Sequence, residues 1–517
     1  MEHGSSRPMA HTRSSFDALD TSEPFDVCII GSGPTGTIIG KTLVENGLRT
    51  VILEAGSSMF NWLTDSRIKQ YADFESTGNA DYPEKHTKAS LLGGTANFWT
   101  GRCERFHPAD LEPHPYTPPE NPWPITYDDL DPYYEQAERI MRVRGSSQRS
   151  SYSPPRKTPL PLPQTKDISF LTSLLADAGV EVDDSPTAIP RKSIRFFKVQ
   201  KEILPEFADS PNLVLLTGAI VRRLLSNADK MITGAEVQSF GGEKKIVRAR
   251  VYVLASGGIG APRLLLLSRS EHHPNGIGNA YDRVGRGFNE HPAVNFYAQI
   301  PHQWKTIYPL SKIARTHQFY NTYRSEGLGS IMPVFRQSWI LPHHNMPLKI
   351  SRIPHNALAI AQRLLHATFY IGVVIEMKIS DDNRVTLSEK KVDPFGDPLA
   401  RVHLDYAEED LALLERSREL VRDLYARVGA SNIQEAQITF SRHLQGTCRM
   451  GTNPRTSVVD PDLRVHESPN LYLSGSEVFV TGGAMQPTLT IAAFAFRLGE
   501  HLVKRFKEGS IPALAEG

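Results

Sequence analysis

A glycine-rich turn between a strand and a helix, near the start of the chain, is the feature that most restricts the fold. The apolar run DVCII (Asp26–Ile30) precedes the turn GSGPTG, and TIIGKTLVENG follows with apolar residues at helical spacing. The next apolar run, RTVILEAG, contains Glu54 at its end. Strand, turn, helix and strand make a βαβ unit of about thirty residues, the size of a mononucleotide-binding half. The sequence therefore predicts an α/β protein with a parallel sheet.

The spacing of three glycines predicts what this unit binds. In GxGxxG, Gly31 permits a tight turn, Gly33 lets a pyrophosphate approach the backbone, and Gly36 lets helix and strand pack closely. The free N–H groups and the dipole of the helix N-terminus favour the anion. Glu54 lies 18 residues after Gly36, where a carboxylate can accept hydrogen bonds from ribose hydroxyls. We expect a dinucleotide site, although these residues alone do not distinguish FAD from NAD.

The nucleotide-binding domain is predicted to be assembled from distant pieces of the chain. Residues 212–224 and 249–255 are predicted as strands, SGGIGAPRLLLLS as a helix after a glycine turn, and TLTIAAFAFRLGEHLVKRF as the last helix. The predicted pieces of the domain are residues 25–165, 205–291 and 441–517. Residues 166–204 and 292–440, with a predicted helix at NALAIAQRLL, form a second domain. Residues 1–24 are expected to be a polar, disordered leader.

Composition argues against several other classes of protein. Lys and Arg number 58 and Asp and Glu 57, for a net charge of +1, whereas nucleic-acid-binding proteins usually carry a strong basic excess. No apolar stretch reaches the roughly 20 residues of a membrane span, and the N-terminus lacks the apolar core of a secretory signal. Three Cys exclude a disulfide scaffold, and no HExxH motif indicates a metal. We expect a cytoplasmic protein with no bound metal, nucleic acid or membrane span.

Further motifs occur in a fixed order from about residue 25 to 505. They are GSGPTG, LEAG, LLGGTANFWTGRC, NPWPITYDDLDPYY, ASGGIGAPRLL, VGRGFNEHP, NRVTL, HLQGTCRMG and QPTLTIAAFAFRLGEHL. This ordered set resembles the glucose–methanol–choline (GMC) flavin oxidoreductases, in particular the branch of pyranose oxidases and bacterial sugar dehydrogenases. The resemblance implies a Rossmann-like FAD-binding domain into which a mixed-sheet α+β substrate domain is inserted, the GMC/p-hydroxybenzoate hydroxylase-like architecture.

The resemblance also implies a catalytic pair above the flavin ring. Its first member is His443 of HLQGTCRMG, and a neutral imidazole is suited to accept the proton of a hydroxyl group. The second member in the family is His or Asn before the Pro of the last helix, and Gln486 stands there in this chain. Its amide can orient an oxygen, but it is one methylene longer than Asn, and a misplacement of about 1 Å can cost roughly 100-fold in rate. Gln486 therefore predicts either a different substrate pose or weakened alcohol oxidation.

Several residues are implied to hold FAD by the resemblance alone. The histidine that tethers FAD covalently in pyranose oxidases corresponds to Asn97, so we expect noncovalent FAD. Asn97 either hydrogen-bonds the flavin edge or stabilises its own loop. Asp460 and Gly475 resemble family positions near the flavin phosphates and ring. The remaining implied FAD-binding residues are Ala55, Gly94, Val221, Pro487 and Thr488.

The resulting hypothesis is oxidation of a CH–OH group of a sugar or glycoside to a ketone, with the proton going to His443 and the hydride to FAD. Oxygen or another electron acceptor would reoxidise the flavin, and the sequence favours neither. Gln486 supports an alternative, a natural-product tailoring enzyme of the same fold that oxidises a non-sugar metabolite or catalyses a lyase-type reaction. In that case residues 302–365 are expected to line an apolar pocket. Otherwise they form strands and a loop over the site.

Overall fold

The computed structural model describes residues 16, 19, 21–84, 87–145, 150–161, 169–191, 196–300, 313–338 and 368–514. The helices are α1 (Pro34–Glu45), α2 (Met59–Thr64), α3 (Ser66–Ala72), α4 (Pro108–Leu111), α5 (Tyr127–Ile140), α6 (Ser169–Ala176), α7 (Val199–Glu202), α8 (Gly257–Leu267), α9 (Glu408–Arg427) and α10 (Thr488–Lys507). Short 3₁₀ helices occupy Gly94–Asn97, Leu204–Glu206, Arg324–Glu326 and Ser476–Val478.

The strands of the described residues fall into five sheets. They are β1 (Phe25–Ile30), β2 (Thr50–Glu54), β3 (Phe74–Thr77), β4 (Val143–Arg144), β5 (Asp183–Asp184), β6 (Thr187–Ala188), β7 (Leu213–Thr217), β8 (Ala219–Ser226), β9 (Ile232–Ser239), β10 (Lys244–Val247), β11 (Ala249–Leu254), β12 (Pro292–Gln299), β13 (Ile313–Arg315), β14 (Ile331–Ser338), β15 (Thr368–Ile375), β16 (Arg384–Val392), β17 (Pro398–His403), β18 (Ser431–Phe440) and β19 (Leu471–Leu473).

The predicted parallel sheet is present, and it has five strands in the order β19-β11-β1-β2-β7. Val27 in the central strand pairs with Thr50 on one side and Val251 on the other. Every residue of β2 is buried, which explains its uninterrupted apolar sequence. Helix α1 packs against α10, where Gly499 lies so close to Thr42 that a Cβ atom would stand 3.0 Å from it. The first and last pieces of the chain are therefore joined in one domain.

Residues 212–224, which the sequence predicts as one strand, form parts of two strands. Gly218 separates them with a φ of +72°, a left-handed conformation that most residues avoid. Strand β7 before it is an edge strand of the parallel sheet, whereas β8 after it belongs to the antiparallel sheet β10-β9-β8. A glycine inside an apolar run can equally mark a bulge, and buried strands of both kinds of sheet are apolar, so the pattern did not reveal this change of sheet.

A six-stranded antiparallel sheet forms the floor of the second domain, in the order β18-β12-β15-β14-β13-β5. Helix α9 covers it, and the buried Tyr425 of this helix donates a hydrogen bond to the carbonyl oxygen of Phe296 or Phe369, at 3.0 and 2.9 Å. Strand β5 comes from the earlier insertion and pairs with β13, so residues 166–204 and 292–440 both contribute to this sheet.

Two segments cross the predicted boundaries. Phe197, Val199 and Ile203 lie in the core of the nucleotide-binding domain, although they were assigned to the substrate domain. The hairpin β16–β17 extends its pairing to β3, and it packs against α8. Both segments have ordinary amphipathic sequences, so their spacing could not reveal which core they join.

Other predictions lie wholly or partly outside the described residues. They include most of the leader, the helix at NALAIAQRLL and much of the segment 302–365. Across the part of the chain that is described, no helix is both long enough and apolar enough to cross a membrane. No group of three or more His, Cys, Asp or Glu side chains is arranged to hold a metal ion within these same residues.

Candidate active site

A cavity of about 510 Å³ opens beyond the carboxyl ends of the parallel strands, where α/β proteins bind nucleotides. Its wall contains the turn after β1, the ends of β2 and β11, and the first turn of α10. The predicted residues that line it are Gly31, Gly33, Glu54, Ala55, Gly94, Val221, His443, Gly475, Gln486, Pro487 and Thr488. Three distant pieces of the sequence thus meet around one cavity.

The three glycines of the turn differ in what surrounds them. Gly31 has a φ of +109°, and a Cβ atom there would lie 2.5 Å from the carbonyl oxygen of Ala255. A Cβ on Gly36 would lie 2.0 Å from the carbonyl oxygen of Gly31. Gly33 has no atom within 4 Å of its Cβ position, which faces the cavity. The turn therefore requires Gly31, and the packing of helix against strand requires Gly36. Gly33 leaves room for a dinucleotide pyrophosphate at the N-terminus of α1.

Glu54 closes the turn from the end of β2. One carboxylate oxygen accepts from the N–H and the hydroxyl of Ser32, at 3.0 and 2.6 Å, and the other accepts from the N–H of Gly56 at 3.0 Å. Burial raises the pKa of Glu54, while these hydrogen bonds act in the opposite direction. A carboxylate has about four acceptor sites, so capacity remains for ribose hydroxyls. These donor and acceptor groups fit the dinucleotide FAD.

Asn97 does not line the cavity, contrary to the expectation that it is a cofactor-binding residue. Its amide donates to the carbonyl oxygens of Leu92 and Gly94, both at 2.9 Å, and it accepts from Gln200. The structure therefore matches the alternative in which Asn97 stabilises its own loop. Phe98, the next residue, lines the cavity instead and is 55% exposed. A shift of one residue in a 3₁₀ turn changes the direction of a side chain by about a third of a revolution, which sequence correspondence does not resolve.

Asp460 also lies away from the cavity. Its carboxylate accepts from the backbone N–H groups of Asp462 and Arg464, both at 3.0 Å, and forms an ion pair with the Arg464 side chain at 3.2 Å. It stabilises a turn, in the manner typical of an Asp at the start of one.

His443 and His291 are in direct contact. Their Nδ1 atoms are 2.8 Å apart, and their rings pack edge to face with centroids 4.9 Å apart. Because Nδ1 of His443 faces His291, its Nε2 is the nitrogen left for the cavity. Burial lowers the pKa of His443 well below its usual range, and His291 and Arg102 lower it further. His443 is therefore neutral at physiological pH and able to accept a proton.

His291 was not predicted from the sequence, although it belongs to the quoted motif VGRGFNEHP. Gln445 contacts its other nitrogen, with Nε2 to Nε2 at 3.2 Å, and a Cβ on Gly482 would lie within 3 Å of both groups. An amide offers either an N–H donor or an oxygen acceptor, so Gln445 can match either tautomer of His291. When Nδ1–H of His443 donates to His291, Nε2 of His443 is free to act as a base.

Gln486 is held in one orientation by Arg315, which the sequence did not indicate. A guanidinium N–H of Arg315 donates to Oε1 of Gln486 at 2.7 Å, and the same nitrogen is 2.9 Å from Glu104. Arg315 and Glu104 are fully buried. Because a guanidinium can only donate, the amide oxygen must face Arg315, and the amide NH₂ is the group left for the cavity. The longer side chain of Gln is thus accommodated by a specific partner behind it.

Comparison with known proteins shows which fold and which family this chain resembles. A variant of formate oxidase from Aspergillus oryzae RIB40 has a similar fold, with a TM-score of 0.68 and 18% identity, covering 96% of this chain and 100% of that one. The fructose dehydrogenase large subunit of Gluconobacter japonicus is 25% identical over 94% of this chain and 98% of its own. Paromamine 6′-oxidase of Streptomyces fradiae is 28% identical over 94% of this chain and 92% of its own.

Domain profiles described as GMC oxidoreductase match residues 86–293 and 380–495, the first for the N-terminal and the second for the C-terminal domain of that family. Together they span more than half of the chain, and they include His291, His443 and Gln486. The matched regions contribute most of the cavity wall, and the glycine turn, the end of β2 and Tyr71 supply the rest. The protein therefore belongs to the GMC oxidoreductase family, and it is an FAD-dependent oxidoreductase.

Proposed function

We propose that this enzyme oxidises a CH–OH group of a sugar or glycoside to a ketone. The observation that carries the proposal is the pairing of a neutral His443 with the amide NH₂ of Gln486 on the wall of one cavity. The related fructose dehydrogenase and paromamine 6′-oxidase, named above, support an oxidation of this kind. Bound FAD supplies the acceptor for the hydride that leaves carbon.

His443 acts as the general base in this proposal. Oxidation of an alcohol breaks the C–H bond, whose electron pair leaves as hydride, and the O–H bond, whose proton must be taken up. Nε2 of His443 takes that proton, and His291 stabilises the resulting cation by accepting the Nδ1–H. A positioned base is typically worth about 10²–10⁴ in rate.

Gln486 holds the reacting oxygen. With Oε1 bound to Arg315, its NH₂ donates a hydrogen bond to the hydroxyl oxygen and then to the developing alkoxide. Arg315 itself does not line the cavity and acts through Gln486. Gln486 can thus take the place of the family's His or Asn in alcohol oxidation. This favours alcohol oxidation over the lyase-type alternative.

The cofactor is proposed to be noncovalent. Residues Gly94–Thr100 line the cavity over most of their length, and this loop contains no His, Cys or Tyr that could form a flavin bond. Denaturation with acid should release all of the yellow colour into the supernatant. Colour that stays with the precipitated protein would contradict the proposal. The electron acceptor, oxygen or another, and the cellular location stay predictions.

The test is an anaerobic titration of the holoenzyme with a panel of sugars and glycosides, followed by visible flavin absorbance. At least one compound should bleach the flavin, and the His443→Gln variant should lose about 10²–10⁴ of the bleaching rate. His272→Gln, which replaces a partly exposed histidine that does not line the cavity, is the matched control and should reduce at the wild-type rate. A flavin that dithionite reduces but no compound on the panel reduces would contradict the proposed function.

A further inference from the structure

One segment of the second domain is basic, although the protein as a whole has almost no net charge. Residues 292–375 contain eight Lys and Arg but one acidic residue, Glu326, while the whole chain has a net charge of +1. Glu326 already forms an ion pair with Arg416 at 2.9 Å. Residues 301–312 and 339–367 contain no Asp or Glu at all. These stretches offer no carboxylate that could neutralise a cation in the cavity.

Among the described residues of the cavity wall, cationic side chains also outnumber carboxylates. The cationic side chains are Lys88, Arg102, Arg263 and Arg442, and the one carboxylate is Glu54. Both oxygens of Glu54 accept hydrogen bonds from the chain itself, as described above. Arg263 is paired with Asp393 at 2.7 Å, and Arg442 is exposed to solvent. Arg102 differs, because its half-buried side chain has no hydrogen-bond or ion-pair partner in the described part of the chain.

Arg102 shares the cavity with the base. Arg102, His443 and Gln486 all line its wall. The charge of Arg102 is also one of the causes that lower the pKa of His443. The backbone of Arg102 forms a β-bridge with Thr187, which fixes where the side chain begins. Within the described part of the chain, an unpaired cation thus lines the same cavity as the base.

The surroundings of Arg102 are electropositive. Burial lowers its pKa, and the guanidinium groups of Arg315 and Arg336 lower it further. Glu104, whose carboxylate raises the pKa of Arg102, is already paired with Arg315. A half-buried guanidinium that has no partner among the described residues and is repelled by two others is costly, and an anion that forms a bidentate pair with it would offset that cost.

We propose that Arg102 binds a carboxylate of the substrate, so that the preferred substrate is a sugar acid, such as a uronic or aldonic acid or its glycoside. This inference rests on the proposed function and adds the charge of the substrate to it. A carboxylate matches the fork of a single guanidinium. A phosphate monoester is close to a dianion at neutral pH, so a single guanidinium compensates its charge less completely than that of a carboxylate.

The experiment compares matched pairs of neutral and anionic compounds with the holoenzyme under anaerobic conditions. The pairs are D-glucose and D-glucuronate, D-galactose and D-galacturonate, and methyl β-D-glucoside and methyl β-D-glucuronide, with D-glucose 6-phosphate as the phosphate probe. The measured quantity is the second-order rate constant of flavin reduction. In at least one pair the carboxylate member should react about 10- to 100-fold faster, since a hydrogen bond to a charged group contributes about 1.5–3 kcal/mol.

Arg102→Gln should remove this preference by slowing the anionic member much more than the neutral one, whereas Arg102→Lys should retain part of it. Arg422→Gln, an exposed arginine on α9, is the matched control and should keep the full preference. The carboxylate should also raise the thermal unfolding midpoint of the wild type but not of Arg102→Gln. That readout does not depend on turnover.

The other outcomes separate the two proposals. Reduction by neutral members without any preference for the charged ones overturns the sugar-acid inference and leaves the proposed function intact. Equal losses with neutral and anionic compounds in Arg102→Gln, with an altered flavin reduction potential, would show that Arg102 serves the cofactor. A preference for the phosphate over the carboxylate would contradict the proposed match. No reduction by any member would contradict the proposed function itself.

Discussion

At the scale of the residue, Arg315 holds the side-chain amide of Gln486 in one orientation. Replacing Gln486 by Glu preserves the shape and still allows one oxygen to pair with Arg315, but the group facing the cavity becomes an acceptor. We expect the rate of flavin reduction by substrate to fall by roughly 100-fold or more, because a lost oxyanion donor typically costs about 10²–10³. Gln437→Glu, at an exposed position of β18, is the control. Near wild-type reduction by Gln486→Glu would mean that the amide NH₂ does not contact the reacting oxygen.

The pKa of His443 makes a second prediction at this scale. The neutral imidazole is the active form, and burial, His291 and Arg102 all lower its pKa. Activity should therefore be constant from neutral pH downward and fall only once the pH drops below about 6.5, the ordinary value for His. The pH dependence of kcat/KM measures this directly. An acid limb centred at or above that value would contradict the assignment of His443 as the base.

At the scale of the element, the turn between β1 and α1 separates glycines needed for folding from one needed for binding. A Cβ on Gly36 would meet backbone oxygen at 2.0 Å, whereas one on Gly33 would meet nothing within 4 Å. We expect Gly36→Ala to lower the thermal unfolding midpoint markedly. Gly33→Ala should fold with little loss but lose most of its flavin, because the methyl group occupies space beside the helix N-terminus. The ratio of flavin to protein absorbance and the unfolding midpoint of each variant check both statements. A flavin content in Gly33→Ala like that of the wild type would contradict the placement of the pyrophosphate there.

The elements that the sequence predicted well are those whose signal is local. The βαβ unit and the last helix follow from apolar spacing and glycine positions, and the structure has both. Local spacing does not reveal which sheet a strand joins. At Gly218, one apolar run supplies strands to two sheets on either side of a single left-handed residue. The hairpin β16–β17 likewise joins β3 through pairing that no local pattern encodes.

At the scale of the whole molecule, the motifs predicted most of the cavity but not the residues behind it. His443 and Gln486 stand in recognisable motifs and line the cavity together. Arg315 comes from β13 of the second domain, in a stretch without any motif, and it acts because folding buries it against Gln486 and Glu104. Residues that position others are defined by long-range burial and pairing. A linear pattern of residue types does not contain that information.

Buried carboxyl groups make the stability of the protein depend on pH, and the contribution of one of them, Glu477, can be measured separately. Glu477 is fully buried, neither carboxylate oxygen has a hydrogen-bond partner among the described residues, and burial raises its pKa to about 7 from 4.5. Below pH 4.5 the group is protonated in both the folded and the unfolded chain and costs no stability. Between pH 4.5 and 7 the unfolded chain ionises while the folded chain keeps the proton, so the folded state loses stability, by at most on the order of 3 kcal/mol, and the loss levels off above pH 7.

Glu477→Gln keeps the shape of the protonated acid and cannot ionise. Its free energy of unfolding should therefore match that of the wild type at or below pH 4.5, exceed it increasingly up to about pH 7, and exceed it by a constant amount above that. Denaturant titrations of both proteins at a series of pH values, with saturating FAD, measure the difference. Glu500→Gln, which changes an exposed carboxyl group on α10, should show no such trend. A difference between Glu477→Gln and the wild type that does not grow with pH would mean that the Glu477 carboxylate has a partner that stabilises its charge, and bound FAD is the first candidate to examine.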